Sequence, residues 1–139
     1  MKIFLDTADH WAIEEYYSTG LIDGVTTNPT LIMKSGRNPD DAYQHIKDVG
    51  IKDISMEVMG SESEMYTEGI RLSEKFGDVC TIKVPCTREG LKVCKALSDV
   101  GIKVNVTLIF CASQAVLAAK SGATSVSYTH LTLPTNREV

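Results

Sequence analysis

Short apolar runs recur along the chain at intervals of roughly 20–30 residues, which is the length of one strand–helix unit. Each run contains Ile or Val and is too short for a helix, so we interpret the runs as buried β-strands. The predicted strands cover residues 2–6, 24–27, 54–58, 80–84 and 102–108, and a sixth begins near Ala123.

Segments whose apolar residues follow helical spacing lie between these runs. Pro29 follows Asn28 at a helix start, and Gly50 and Gly101 follow helix ends, which is the punctuation expected of helices. Strict alternation of strand and helix predicts parallel strands joined by crossover helices. The predicted helices cover residues 11–18, 39–49, 61–76, 88–100 and 111–120.

Two architectures alternate in this way, the open doubly wound sheet and the (β/α)8 TIM barrel. An open nucleotide-binding sheet places a glycine-rich turn after its first strand, whereas this chain has the acidic turn 6–9 there. Catalytic residues spread over the carboxyl ends of many strands are typical of the barrel. The predicted strands end in such polar residues, namely Asp6, Asn28, Glu57, Lys83 and Thr107.

The chain is too short for a whole barrel, because eight units need ~200–250 residues. We therefore predict an α/β fold made of the N-terminal five to six βα units of a TIM barrel, with the doubly wound sheet as the alternative. Segment 126–139 does not continue the rhythm, and its part 126–135 resembles a translated transposon-end sequencing adapter. We expect residues 1–125 to be the partial barrel and 126–139 to be a non-native tail; a natural polar tail is the alternative.

Composition narrows the class of protein. The chain is 43% hydrophobic and 23% charged, as in soluble globular proteins, and no apolar run approaches the ~18 residues of a membrane-spanning helix. Its net charge of -4, without a basic cluster, argues against nucleic-acid and acidic-membrane partners. The four cysteines show no CxxC spacing, which favours reduced thiols and a cytoplasmic location over disulfides or a zinc site.

Lys83 is the sharpest candidate for chemistry. Alternation along its strand directs Ile82 and Val84 toward the helices, so Lys83 faces the barrel mouth. Burying an ammonium is costly and desolvation favours the neutral amine, which is the nucleophile that Schiff-base catalysis requires. A lysine that extends to solvent or pairs with a buried carboxylate is the alternative.

Asp6 and Glu57 end the first and third predicted strands and should face the same mouth as Lys83. Asp6 and Glu57 could transfer protons, although Asp6 could instead cap the helix that begins near residue 9, and Glu57 could merely neutralise Lys83. Asn105 and Thr107 share one face of a strand and could bind substrate hydroxyls or a catalytic water. Asn28 is, by default, a helix cap. We recognise no metal site, and the proposed chemistry requires no cofactor.

Five sequence blocks together resemble the transaldolase family, and the closest match is its small branch, which includes fructose-6-phosphate aldolase. The resemblance covers residues 1–125 and implies a (β/α)8 barrel that transfers a dihydroxyacetone unit from sedoheptulose 7-phosphate to glyceraldehyde 3-phosphate. It also implies sugar-phosphate substrates and homo-oligomers, although the missing strands weaken the latter. The blocks are LDTAD at 5–9, GVTTNPTLI at 24–32, the strand with Glu57, IKVPCTREGLK at 82–92 and NVTLIF at 105–110.

The resemblance assigns roles to the catalytic candidates. By motif, Lys83 matches the Schiff-base lysine, and Asp6 matches the acid/base that acts on the C4 hydroxyl. Glu57 and Thr107 match the pair that works through a catalytic water. Glu57 also favours a transaldolase, because the aldolases of this group tend to carry Gln there.

The resemblance also assigns substrate contacts. Asn28 and Asn105 match residues that position the dihydroxyacetone unit, and Thr27, in the same block as Asn28, is a further candidate contact. The family's phosphate-binding Ser and Arg residues come from later strands, which we do not find in this chain. We therefore expect the chain as written to be an inactive fragment. A fructose-6-phosphate aldolase and a doubly wound ligand-binding module stay open as alternatives.

Overall fold

The computed structural model describes residues 1–128, which form a curled sheet of six parallel strands with helices between them. The strands are β1 (Phe4–Asp6), β2 (Gly24–Thr26), β3 (Ile54–Glu57), β4 (Cys80–Pro85), β5 (Val104–Thr107) and β6 (Ser125–Val126). The helices are α1 (His10–Tyr17), α2 (Pro29–Lys34), α3 (Pro39–Val49), α4 (Glu62–Phe76), α5 (Arg88–Asp99) and α6 (Ala112–Lys120).

The spatial order of the strands follows the order of the chain, from β1 to β6, and every neighbouring pair is parallel. A doubly wound sheet reverses its strand order at a switch point, whereas a barrel does not. The predicted incomplete TIM barrel is therefore confirmed, and the doubly wound alternative is wrong. The physical reason is that each crossover packs its helix on the same, outer side of the sheet.

The two faces of the sheet differ in chemistry. The outer face, which packs against the helices, consists of apolar side chains that are entirely buried. The inner face carries most of the polar strand residues, and the register places Glu57 beside Lys83 and Lys83 beside Asn105, while Thr107 lies beside Pro85. The alternation predicted for the Lys83 strand is thus present in the structure. The outer residues include Val25, Ile54, Met56, Ile82, Val84, Val104 and Val106.

Two helix caps decide between interpretations of the polar residues. Asp9, not Asp6, caps α1, because its carboxylate accepts from the backbone N–H groups of Trp11 and Ala12. The interpretation of Asp6 as a cap is therefore wrong: it lies one turn of chain too early. Asn28 does cap α2, since its Oδ1 atom accepts from Leu31 N at 2.9 Å.

The C-terminal part of the described chain continues the sheet. Val126 pairs with Val106, and Ser127 N donates to Val106 O at 2.9 Å, so pairing with β5 extends past the predicted boundary at residue 125. That boundary remains a prediction, and residues 129–139 of the expected tail lie outside the described residues. Within residues 1–128, no helix is long and apolar enough to cross a bilayer.

Candidate active site

Lys83 lies at the centre of the polar inner face. Its side chain is 5% exposed, and its Nζ atom lies 3.1 Å from Glu57 Oε2 and donates to the Thr27 carbonyl oxygen at 3.0 Å. The lysine therefore does not extend to solvent, and Glu57 balances its charge, as one of the two interpretations of Glu57 requires. The same short contact also allows a proton to pass between the two groups.

The register of β3 against β4 explains this contact, because it sets Glu57 directly beside Lys83. Neighbouring positions in a parallel ladder project their side chains to the same face. Both carboxylate and ammonium would be expensive to bury singly, and breaking such a pair typically costs 3–5 kcal/mol, so each group is held in place by the other.

Thr27 meets the lysine through its backbone. Its side chain is entirely buried, and its hydroxyl donates to the Ser55 carbonyl oxygen at 2.9 Å. The carbonyl oxygen of Thr27 instead accepts the hydrogen bond of Lys83. Thr27 thus orients the amine through its backbone, and its contact with the substrate stays a prediction.

Asp6 and Asn28 line a mouth cavity of about 420 Å³ together with Glu57 and Lys34. Asp6 is exposed to this cavity and accepts a hydrogen bond from the Thr26 hydroxyl at 2.9 Å, which orients its carboxylate. The Oδ1 atom of Asn28 is committed to the α2 cap. Its amide nitrogen is consequently the atom that can donate to a ligand.

Asn105 and Thr107 are the buried members of the site, at 3% and 1% exposure. Asn105 donates from Nδ2 to Ser55 Oγ at 3.3 Å, while its Oδ1 atom and the Thr107 hydroxyl have no protein partner among the described residues. A buried polar atom without a partner costs about 1–3 kcal/mol. These two atoms are therefore suited to bind a hydroxyl group or a water molecule.

Tyr43 of α3 is a residue near the site that sequence reasoning missed. Its ring is buried edge-on against Phe76, and with Glu57 it lines a separate crevice of about 270 Å³. Burial raises the pKa of Tyr43 to about 12, the Thr27 hydroxyl opposes this, and the charge of Glu57 adds to it. Tyr43 is therefore a protonated phenol behind Glu57. Tyr43 lies on the buried face of α3 with Ala42 and Ile46, which is the pattern of an ordinary core residue.

Lys34 is the second residue that sequence reasoning missed. It lies in the last turn of α2 and lines the mouth cavity with Asp6 and Glu57. The sequence pattern explains a cation there by the helix dipole alone. No group of three or more His, Cys, Asp or Glu residues within the described chain could hold a metal ion.

Comparisons with known proteins match the chain as a whole to one family. The model of the family described as Transaldolase/Fructose-6-phosphate aldolase matches residues 3–128. A "Probable transaldolase" of Nitrosopumilus maritimus is 52% identical over 128 residues, which is 91% of this chain and 57% of that protein. A protein of the same name from a Ruegeria species is also 52% identical, over 91% of this chain and 58% of its own length.

The chain thus spans a little over half the length of these curated relatives. Among solved structures, a glycerol uptake operon antiterminator regulatory protein from Listeria monocytogenes aligns with a TM-score of 0.59 and 19% identity, over 91% of this chain and 63% of that one. At this identity the likeness concerns the fold alone. The family match and the curated relatives together establish that the chain belongs to the transaldolase/fructose-6-phosphate aldolase family.

Proposed function

We propose that this chain contributes the Schiff-base site of a transaldolase. The enzyme would take a dihydroxyacetone unit from sedoheptulose 7-phosphate and pass it to glyceraldehyde 3-phosphate, giving erythrose 4-phosphate and fructose 6-phosphate. The observation that supports the proposal most is the buried Lys83 amine between a carboxylate and a carbonyl oxygen, in a chain of this family.

Glu57 opens the reaction by accepting a proton from the Lys83 ammonium, which frees the nitrogen lone pair. The amine then attacks the ketone carbon of the sugar, and the carbonyl oxygen becomes the hydroxyl of a carbinolamine. Protonation lets this hydroxyl leave as water, so that an iminium ion links Lys83 to the sugar. Thr107, with its unpartnered hydroxyl, holds the water that passes protons to and from Glu57.

Asp6 acts in the cleavage step. Its carboxylate takes the proton of the C4 hydroxyl, and the bond between C3 and C4 breaks. The electron pair of this bond moves into the iminium, which becomes an enamine. The aldehyde product leaves, and the acceptor aldehyde reacts by the same steps in reverse. The hydrogen bond from Thr26 keeps the Asp6 carboxylate directed at the mouth cavity.

Asn28 and Asn105 position the dihydroxyacetone unit through complementary atoms. Asn28 donates from its amide nitrogen, because its oxygen caps α2. Asn105 accepts through Oδ1, because its nitrogen donates to Ser55. The carbonyl oxygen of Thr27 holds the lysine, and a contact of Thr27 with the sugar stays a prediction. The cycle uses no cofactor, and the substrates are sugar phosphates of the cytoplasm.

A fructose-6-phosphate aldolase is the second candidate, because it shares every step except the transfer to an acceptor. Glu57 favours the transferase. The two functions differ in one measurement: a transaldolase requires an acceptor aldehyde for turnover, whereas an aldolase releases free dihydroxyacetone.

The test uses a chimera in which residues 1–125 are followed by the C-terminal part of the Nitrosopumilus maritimus relative. Borohydride reduction in the presence of fructose 6-phosphate should attach the reduced sugar unit to the peptide that contains Lys83, as read by mass spectrometry. The Lys83→Met variant should give no adduct at this peptide. A folded chimera that forms no adduct at Lys83 would exclude the Schiff-base function.

We also propose that the 139-residue chain without this addition has little or no turnover. Six strands do not close a barrel, and Phe110, Val116 and Leu117 are exposed apolar side chains near the last strand. Open strand edges and apolar faces promote aggregation. A soluble monomer with normal turnover would refute this proposal.

A further inference from the structure

Ser55 connects two parts of the candidate site. It lies on the inner face of β3, two residues before Glu57, and is 2% exposed. Its carbonyl oxygen accepts from Thr27 N at 3.2 Å and from the Thr27 hydroxyl at 2.9 Å. Its own hydroxyl accepts from Asn105 Nδ2 at 3.3 Å. The backbone of Ser55 therefore holds Thr27, while its side chain holds Asn105.

The contact between Ser55 and Asn105 crosses the strand that carries Lys83. The register sets Ser55 beside Thr81 and Asn105 beside Lys83, so the hydrogen bond passes over β4 between Thr81 and Lys83. In a TIM barrel, inward side chains from alternate strands form common layers, and β3 and β5 are alternate strands. The curl of the sheet thus brings these two side chains within reach of each other.

The amide of Asn105 needs such a contact to keep one orientation. The torsion about the Cβ–Cγ bond of an asparagine has broad minima, so the torsion itself defines the amide plane poorly. Oδ1 of Asn105 has no partner in the described part of the chain, where Ser55 is the one hydrogen-bond partner of this side chain. Without the Ser55 hydroxyl, the whole buried amide would lack a partner there.

We propose that Ser55 is a positioning residue of the Schiff-base site, whose hydroxyl fixes the Asn105 amide so that Oδ1 meets the dihydroxyacetone unit bound at Lys83. The inference rests on the proposed function and adds to it a residue that acts through another side chain. A group that is oriented before the substrate arrives pays no ordering entropy when the substrate binds. Ser55 therefore improves use of the ketose without touching it.

The first experiment removes the hydroxyl in the chimera and keeps the backbone. Ser55→Ala should lower kcat/KM for fructose 6-phosphate about tenfold, as expected for loss of one hydrogen bond. Lys83 should still form the adduct, because the Ser55 carbonyl oxygen still holds Thr27.

The conservative variant Ser55→Thr tests the hydroxyl itself. It keeps this group, and the two register neighbours of Ser55, Thr26 and Thr81, show that this row accommodates threonine. Ser55→Thr should retain at least about half of the parent's kcat/KM. A value as low as that of Ser55→Ala would overturn the proposal.

The matched control is Thr81→Val. Thr81 is also buried on the inner face, at 2% exposure, but its hydroxyl donates to Asp53 Oδ1 at 2.7 Å. The variant removes a buried hydroxyl from the same face and should leave kcat/KM within about twofold of the parent, because Asn105 keeps its partner. Equal losses in Ser55→Ala and Thr81→Val would overturn the proposal, since they would reflect general loosening of this face.

A double-mutant cycle tests whether Ser55 acts through Asn105. Asn105→Ala should lower kcat/KM by at least about tenfold, and adding Ser55→Ala should lower it by less than about twofold more. The reason is that the side chain that Ser55 orients is already absent. A double variant that shows the full product of the two single losses would overturn the proposal, because Ser55 would then act independently of Asn105.

A structural measurement does not depend on Lys83 chemistry. Crystal structures of the chimera and its Ser55→Ala variant, both without substrate, should show the Asn105 amide at Ser55 Oγ in the parent and rotated away in the variant. An amide that keeps its place in the variant would overturn the Ser55 assignment, while an adduct at Lys83 would still support the Schiff base. A displaced amide in a folded chimera that forms no adduct would support the Ser55 contact and exclude the proposed reaction.

Discussion

The two faces of the sheet have different roles. On β4, Ile82 and Val84 are entirely buried among apolar side chains, whereas Lys83, between them, is buried among oxygen atoms. Adjacent residues of one strand thus have different roles, one in core packing and the next in the candidate site, because successive side chains point to opposite faces. The comparison teaches that burial alone does not identify the role of a residue in this fold. What distinguishes the faces is whether the buried group has an apolar or a polar surrounding.

Loss of the lysine should have the largest effect on the inner face. Lys83→Met in the chimera removes the nucleophile, so we expect turnover to fall by about 10³-fold or more. The buried Glu57 carboxylate also loses its partner. Steady-state assays and sugar trapping check the prediction, and turnover within tenfold of the parent would contradict it.

Truncation of Ile82, the neighbour of Lys83, should lower stability and leave the chemistry of the site unchanged. Ile82→Ala leaves a cavity on the outer face and should lower the free energy of unfolding by about 2–5 kcal/mol. The adduct yield per folded molecule should stay close to that of the parent, because Ile82 faces away from the site. Urea denaturation and sugar trapping on the same samples test this, and a selective loss of adduct would break the distinction between the faces.

Substitutions in the turn after β5 should change the free energy of unfolding by an intermediate amount. Leu108 has a φ of 63°, and it is the one non-glycine residue with positive φ among the described residues. This conformation is costly for a β-branched residue and free for glycine, so Leu108→Val should be less stable than Leu108→Gly by about 1–2 kcal/mol. Thermal unfolding of the two variants provides the measurement. Equal stability would mean that the turn relaxes.

A substitution on the surface of the helical layer should change the free energy of unfolding least. Hydrogen bonds from Arg71 and Lys75 hold the pKa of Asp40 well below its ordinary value of 3.8. Because the pKa of Asp40 is lower in the folded than in the unfolded protein, its carboxylate stabilises the fold at pH values above the ordinary pKa. This stabilisation is lost as the pH falls through the lowered pKa. Asp40→Asn should therefore cost about 0.5–1 kcal/mol at pH 7, because the groups are partly exposed, and less at pH 3. Urea denaturation at both pH values checks the trend, and a difference that grows on acidification would contradict it.

Most of the element pattern could be predicted from the sequence. Helix 39–49 matches α3 in both bounds, and the predicted helix 88–100 differs from α5 by one residue. The predicted strand 102–108 was longer than β5, because apolar residues continue beyond the stretch that pairs with β4. Periodicity reports which side chains are buried, but strand ends depend on the neighbouring strand.

The candidate site divides in the same way. Alternation predicted that Lys83 faces the barrel mouth and that Asn105 and Thr107 share one face of their strand, and the register places all three on the inner face. The hydrogen bond from Lys83 to the carbonyl oxygen of Thr27, rather than to its side chain, could not be predicted, because it depends on the path of β2 relative to β3. Tyr43 and Lys34 were missed for a related reason: each looks ordinary within its own helix.

The sequence by itself determined the alternation of strands and helices, the face to which each strand residue points and the family to which the chain belongs, since all three are recorded in residue order. Only the tertiary structure decided that Glu57 lies 3.1 Å from Lys83, that Asp9 rather than Asp6 caps α1, and that Lys34 reaches the mouth. These contacts join residues from different strands and helices, and their distances are set by register and packing, which a single chain's periodicity does not contain.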